Sequence, residues 1–104
     1  MSLEDCMIGA TLYKGNVSEA VVLAAYIEAG FIVSLPFGGG AAYDLVVDNG
    51  VRLVKVQVKT GKFNAGCVIY NARRHRGSKY DTFSRYMEGE VDVFAVWCPA
   101  TEQI

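Results

Sequence analysis

Tyr43-Asp44-Leu45-Val46-Val47-Asp48-Asn49-Gly50-Val51-Arg52-Leu53-Val54-Lys55-Val56-Gln57-Val58-Lys59-Thr60 is the stretch whose reading decides the fold. It reads as two apolar strands joined at Asn49-Gly50, a dipeptide that tolerates positive φ at both central positions of a tight two-residue hairpin. With Asp48 and Val51 flanking that turn, Val47 faces Arg52, Val46 faces Leu53 and Asp44 faces Lys55. Lys55, Gln57 and Lys59 alternate with Val54, Val56 and Val58, so one face of the second strand is apolar and the other polar. The same register puts Asp44 with the polar set. A solvated face of an antiparallel hairpin is the simplest account of such a set. Two features weigh against it. Asp and Gln are poor strand formers beside Val, and Asp44 lies within Tyr43, Leu45, Val46 and Val47, a run apolar enough to imply burial.

Upstream, Asn16-Val17-Ser18-Glu19 fits a capping box, with Asn16 as N-cap and Glu19 at the third helical position. The apolar run from Ala20 to Ala29 continues the helix, and Gly30 stops it. Glu19 is therefore either a cap or a carboxylate presented near whatever approaches that helix end. Phe31 to Leu35 reads as a strand halted by Pro36. Phe37-Gly38-Gly39-Gly40-Ala41-Ala42 is a connection without the Lys-Ser/Thr and helix that a phosphate-cradling loop requires; it is a mobile loop, or one that closes over a ligand.

Downstream, Thr60 to Gly66 forms a turn into a fourth strand, Cys67 to Asn71. A basic run from Arg73 to Lys79 follows, either a solvated loop or a phosphate contact. Tyr80 to Met87 shows helical spacing, with Phe83, Tyr86 and Met87 facing a core. Val91 to Cys98 is a near-continuous apolar strand, expected inside the sheet, and Thr101 to Ile104 reads as the start of a further strand.

The 104 residues are 52% hydrophobic and 20% charged. This predicts one ordered domain over residues 1–104, shortened at its C-terminus or a compact version of something longer. No apolar run is long enough to span a membrane, and the start lacks a signal-peptide pattern, so the expectation is a soluble cytoplasmic protein. Cys6, Cys67 and Cys98 form no CxxC pair and have one histidine, His75, for company. They are expected to be reduced, Cys67 and Cys98 packing inside strands. The same lone histidine argues against Ser-His-Asp and Cys-His chemistry. The net charge of −1 excludes a dedicated basic nucleic-acid module, yet most of the Lys and Arg residues fall between Lys55 and Arg85.

Asp44, twelve residues, then Gln57-Val58-Lys59 resembles the PD-(D/E)xK nuclease superfamily, whose core carries Asp on one strand and (D/E)-x-K on the next. Lys14-Gly15 with Glu19 is similar to the first helix of archaeal Holliday-junction resolvases, and the Gln57-Val58-Lys59 variant looks most like the intron-encoded homing endonuclease branch. The resemblance covers roughly residues 14–97. It implies an α/β (α+β) fold with a restriction-endonuclease-like core. In that core an N-terminal helix precedes a mixed sheet of four to six strands with a second helix, in the order αβββ(β)αβ. Tyr43 stands where the name-giving proline would be, and Gln57 replaces an anion.

The resemblance implies catalysis by Asp44, Gln57, Lys59 and Glu19. Mg²⁺, or Mn²⁺ in its place, would be held by Asp44, the Gln57 amide oxygen, the Val58 backbone carbonyl and, through water, Glu19. One anion fewer among these oxygen ligands implies a weaker hold on the metal. DNA is the implied substrate, with Lys14, Lys62, Arg73, Arg74, Arg76 and Lys79 as backbone contacts. Cutting two strands with a domain of this size implies a homodimer or homotetramer, anchored by Phe and Tyr residues outside the core. The competing readings are a catalytically inactive DNA-binding or assembly module of the same fold, and a small α/β interaction protein whose polar hairpin face is merely solvated.

Overall fold

Residues Ala10–Glu28 form helix α1, starting two turns before the expected Asn16 cap. Ala10 to Lys14 are compatible with helix and the single Gly15 is tolerated within it. The Tyr13 N–H reaches the Gly9 carbonyl at 3.0 Å, and no side chain caps the helix start. Asn16 and Glu19 are thus interior helical residues, and the capping box does not form. The other end is as read: Gly30 has φ +98°. The Gly30 N–H bonds the Ile27 carbonyl and the Phe31 N–H the Tyr26 carbonyl. The Tyr26 and Phe31 rings meet edge to face at 6.0 Å, the apolar contact that accompanies this type of C-terminal stop.

The computed structural model describes residues 9–72, 74–75, 83–84, 86 and 88–104. After α1 come β1 (Ile32–Ser34), β2 (Leu45–Asp48), β3 (Leu53–Thr60), β4 (Lys62–Asn64), β5 (Cys67–Ile69), β6 (Arg74–His75), β7 (Phe83–Ser84) and β8 (Val93–Trp97). The main sheet runs β1-β2-β3-β8, antiparallel across its first three strands and parallel between β3 and β8. An N-terminal helix on a mixed four-stranded sheet is the α+β architecture expected.

Its details differ from expectation in four places. β5 pairs with β4 in a hairpin of its own, turned by Ala65 and Gly66, both at positive φ, rather than joining the main sheet. Phe83 and Ser84, expected in a second helix, pair as β7 with Arg74 and His75; the Asp, Thr, Ser and aromatic residues there are weak helix formers. Among the described residues β8 is an edge strand, not an interior one. The Thr101 to Ile104 segment turns back on Cys98, whose N–H bonds the Gln103 carbonyl at 2.9 Å. Cys98 is buried as expected, whereas Cys67 is exposed at the start of β5 in the outlying hairpin.

The β2–β3 turn sits one residue later than the dipeptide suggests. Asn49 and Arg52 flank it, the Asn49 N–H bonding the Arg52 carbonyl, and Gly50 has φ +88° at the first central position. The Asn49 side chain turns inward to accept the Val51 and Arg52 N–H groups, and the Asp48 side chain accepts the Gly50 N–H. These local bonds favour Gly50-Val51 as the central pair. Moving the turn by one residue moves the pairing by two, so Leu45 faces Val56 and Val47 faces Val54. Because side chains alternate with period two, no residue changes face.

Val22 of α1 packs with Leu45, Val47, Val56, Val58 and Ala95 to make the buried core, with Leu23, Tyr26, Val33, Val54 and Trp97 around it. Val56 is wholly buried and Val58 nearly so. The alternation of β3 therefore points its valines at the helix. Ser18 is also buried, and its hydroxyl is satisfied by the Lys14 carbonyl at 3.1 Å and the Thr60 hydroxyl at 2.6 Å. That pair fixes the height of α1 against β3. At the outer edge, the Asp92 N–H bonds the Lys55 carbonyl, and the Asp92 carboxylate accepts the Lys55 N–H at 2.9 Å. This docks the start of β8. Lys55 Nζ bonds the Gly89 carbonyl, so this member of the polar set is engaged in joining β3 to the segment before β8.

The chain leaves the main sheet for the β4–β5 hairpin at Gly61, which is buried and donates to the Trp97 carbonyl at 2.7 Å. A Cβ at that position would stand 2.6 Å from Cγ1 of Val68 and 2.9 Å from Cγ1 of Val96. Gly61→Ala is expected to cost about 1–3 kcal/mol, read as a fall in melting temperature of roughly 4–8 °C per kcal/mol. Adding Val68→Ala, which removes the nearest methyl, restores part of that loss; an unchanged melting temperature in the single variant would contradict the packing described.

Candidate active site

Asp44 stands one residue before β2, where its backbone N–H still bonds the Val56 carbonyl at 2.9 Å. Its Oδ2 accepts the Val58 N–H, also at 2.9 Å. The Asp44 backbone and side chain therefore bracket Gln57 from both sides, and the carboxylate is held by the neighbouring strand. Gln57 turns its amide Nε2 to the Val58 carbonyl at 3.3 Å. A carbonyl oxygen has two lone pairs, so one remains for a further donor or a cation. Glu19 comes from α1, one residue past the Ser18 anchor, and its carboxyl hydrogen-bonds that of Asp44. Lys59 follows Gln57 on the same face of β3, close enough to feel the charge of Asp44. All four side chains are partly buried.

The electrostatics of this group follow from crowding. Burial, then the charge of Asp44 and the hydrogen bond to it, push Glu19 up to about 7. Burial also raises Asp44 above the usual carboxylate range, opposed by the Val58 N–H, the Glu19 hydrogen bond and the Lys59 charge. With those three partners Asp44 stays the anion and Glu19 holds the shared proton near neutrality. Lys59 is lowered because burial outweighs the attraction of Asp44. Its ammonium lies 5.3 Å from the centre of the Tyr86 ring, a cation–π distance. Tyr86 in turn meets Phe94 edge to face at 5.3 Å, and Phe94 meets Tyr70 at 6.1 Å.

Beside the carboxyl pair opens a cleft of about 250 Å³, walled by Tyr43 and by the loop that includes Leu35, Pro36 and Gly38. Glu19 and Asp44 line this cleft; with the Gln57 amide and the Val58 carbonyl on the adjoining strand they offer oxygen atoms of the kind hard divalent cations take. Among the described residues no three His, Cys, Asp or Glu side chains gather in one place. A cation here would rest on two carboxyls and neutral oxygens.

Residues 10–104 match the sequence pattern of the PD-(D/E)XK endonuclease family. The chain belongs to that family. The solved bacterial homing endonuclease I-Ssp6803I is similar to it, with a TM-score of 0.74 and 28% identity over 90% of this chain and 66% of that one. This chain thus spans just under two thirds of that neighbour's length. No protein with a curated description matches. Among the described residues no helix of this family member is long and apolar enough to cross a membrane.

The helix residue, the hairpin aspartate and the QxK pair, read from sequence as one constellation, do meet in this family member. The basic residues are more scattered. Lys14 is exposed on α1 and Lys62 exposed at the start of β4; Arg74 lies in β6, while Arg73, Arg76 and Lys79 fall outside the described residues. Two contributors escaped sequence reading. Tyr86 was expected to face a core from a helix, and instead its ring lies against Lys59. Ser18 looked like part of a cap, and instead its hydroxyl places the helix. A small buried hydroxyl carries no spacing signal that would have revealed it.

The raised Glu19 carboxyl gives a signed pH dependence. Its folded value of about 7 lies above the ordinary 4.5, so the stability it contributes is full below about 4.5 and lost as pH rises through about 7. In metal-free buffer, melting temperatures measured between about pH 5 and about pH 8.5 should fall more steeply for the native protein than for Glu19→Gln, which has no proton to lose. Parallel curves for the two proteins would show that the carboxyls do not repel.

Proposed function

We propose that this nuclease is a divalent-metal-dependent DNA endonuclease of the homing-endonuclease type, with Asp44, Gln57, Lys59 and Glu19 as its catalytic residues. The observation that carries the reading is the Glu19–Asp44 carboxyl pair beside the Val58 peptide and the Lys59 ammonium. The similarity to a bacterial homing endonuclease supports the DNA substrate and favours a duplex site over a four-way junction.

Asp44, the Gln57 amide oxygen, the Val58 carbonyl and, through water, Glu19 would hold Mg²⁺ or Mn²⁺. When bound, the cation supplies charge neutralisation at the phosphate and lowers the pKa of a coordinated water. The protein's own part is orientation and charge. The Val58 N–H fixes the Asp44 carboxylate so that it need not reorganise as charge develops. Lys59 presents its ammonium one pleat beyond Gln57, placed to bind a nonbridging phosphate oxygen and to orient the attacking water. The Tyr86 ring steadies it. The Glu19 carboxyl gives up its proton close to neutral pH, and as an anion adds the charge that Gln57 lacks. Lys14, Lys62, Arg73, Arg74, Arg76 and Lys79 would contact backbone phosphates. Cutting both strands requires two such centres, hence a homodimer or homotetramer. Tyr13, Phe63 and Tyr70, exposed outside the core, are suited to anchor it.

Lys59→Ala should lower nicking of supercoiled plasmid by about 100-fold or more while leaving DNA affinity in EDTA nearly unchanged. Wild-type nicking by that variant would remove Lys59 from the chemistry. Gln57→Glu restores an anionic ligand and should lower the Mg²⁺ concentration that half-saturates cleavage; a titration midpoint that stays put would show that Gln57 does not contact the metal.

A further inference from the structure

Phe37 is fully exposed, and Leu35 nearby is 64% exposed. Pro36 between them is partly buried and lines the cleft that holds Glu19 and Asp44, so the loop springs from the wall of the candidate active site. An exposed aromatic ring next to a residue that lines the cleft offers a flat apolar face to whatever enters it. The glycines that follow carry a second message. Gly38 has φ +82° and needs to be glycine for that reason. Gly39 and Gly40 have no such φ, and a Cβ built on either meets nothing within 4 Å. Packing inside the chain does not explain two bare residues there. They leave a clear path for something from outside to pass close to the loop backbone.

We propose that Phe37 stacks on a base adjoining the scissile phosphate, while Gly39 and Gly40 let the nucleic-acid backbone run past the loop into the cleft. This rests on the nuclease reading of the Asp44 site. If a phosphate sits against Asp44 and Lys59, the nucleotide next to it would lie along one wall of the cleft, and Phe37 stands in the chain between Pro36 and Gly38 of that wall. An aromatic face suits a base of any identity, and a ring entering at a base step also opens the duplex locally. A Pro before the ring limits its backbone freedom, and the glycines after it supply the hinge.

The test compares Phe37→Ala and Phe37→Trp with the native protein on supercoiled plasmid with Mg²⁺ and on a duplex fragment of the same plasmid in EDTA. A stack worth what base–aromatic contacts usually contribute predicts a loss of about 5- to 150-fold in nicking or affinity for Phe37→Ala. Its melting temperature should not change, since the side chain is fully exposed. Phe37→Trp should retain function, and its indole emission should be quenched by the duplex beyond any response of Trp97 in the native protein. If the native protein nicks plasmid while Phe37→Ala nicks equally well and Phe37→Trp stays unquenched, the stacking proposal is overturned and the nuclease reading stands. If the native protein neither binds nor nicks, the nuclease reading falls first and this proposal with it. A drop in oligomer mass for Phe37→Ala with unchanged DNA response per site would assign the ring to contact between copies and overturn the proposal.

Discussion

The hydrogen bond from the Val58 N–H to Asp44 Oδ2 is the constraint on which the site depends. It does two things with one contact. It satisfies a backbone donor of β3 beyond the paired length of β2, and it aims a carboxylate at the residue whose own carbonyl accepts the Gln57 amide. A carboxylate held this way loses little freedom when a ligand arrives, and electrostatic preorganisation of that kind is the large term in polar catalysis. The bond is possible because β2 stops at Leu45 while β3 runs on.

The helix is placed by a second small contact, the hydrogen bond between the buried Ser18 hydroxyl and that of Thr60. The apolar core around Val22 would permit α1 to slide along the sheet, since dispersion contacts are weakly directional. A 2.6 Å hydrogen bond from the buried Ser18 hydroxyl to a half-buried partner on β3 does not permit it. Glu19, next in sequence, is then carried to Asp44, and the crowding of two partly buried carboxyls follows from that placement. The cost of bringing them together is visible in the proton that Glu19 retains up to about pH 7. On the opposite flank Lys59 is supported by aromatic rings, Tyr86 on Phe94 and Phe94 near Tyr70, drawn from three separate segments.

Seen together, the small core and the exposed apolar residues divide the labour of the chain. Leu45, Val47, Val56 and Val58 hold the hairpin to the helix. Leu35, Phe37, Phe63, Ile69 and Tyr70 are left in water. The first group fixes the frame that carries the site, and the second lies outside it.

The sequence by itself determined the hairpin, the faces of its strands and the gathering of Asp44, Gln57 and Lys59, because these follow from a period of two that survives an error of one residue in the turn. It also determined the Gly30 stop, a local matter of positive φ. What it did not carry is everything decided by partners distant in the chain. Asn16 and Glu19 satisfy a capping pattern, yet the helix runs on through them because residues ahead of Asn16 also favour helix. Cys67 to Ile69 has the composition of a sheet strand, yet Gly61, hemmed in by Val68 and Val96, turns the chain away into a separate hairpin. That Glu19 is carried to Asp44 goes with the Ser18–Thr60 bond, and only tertiary structure supplies such a bond: two hydroxyls 42 positions apart leave no periodic trace in the sequence.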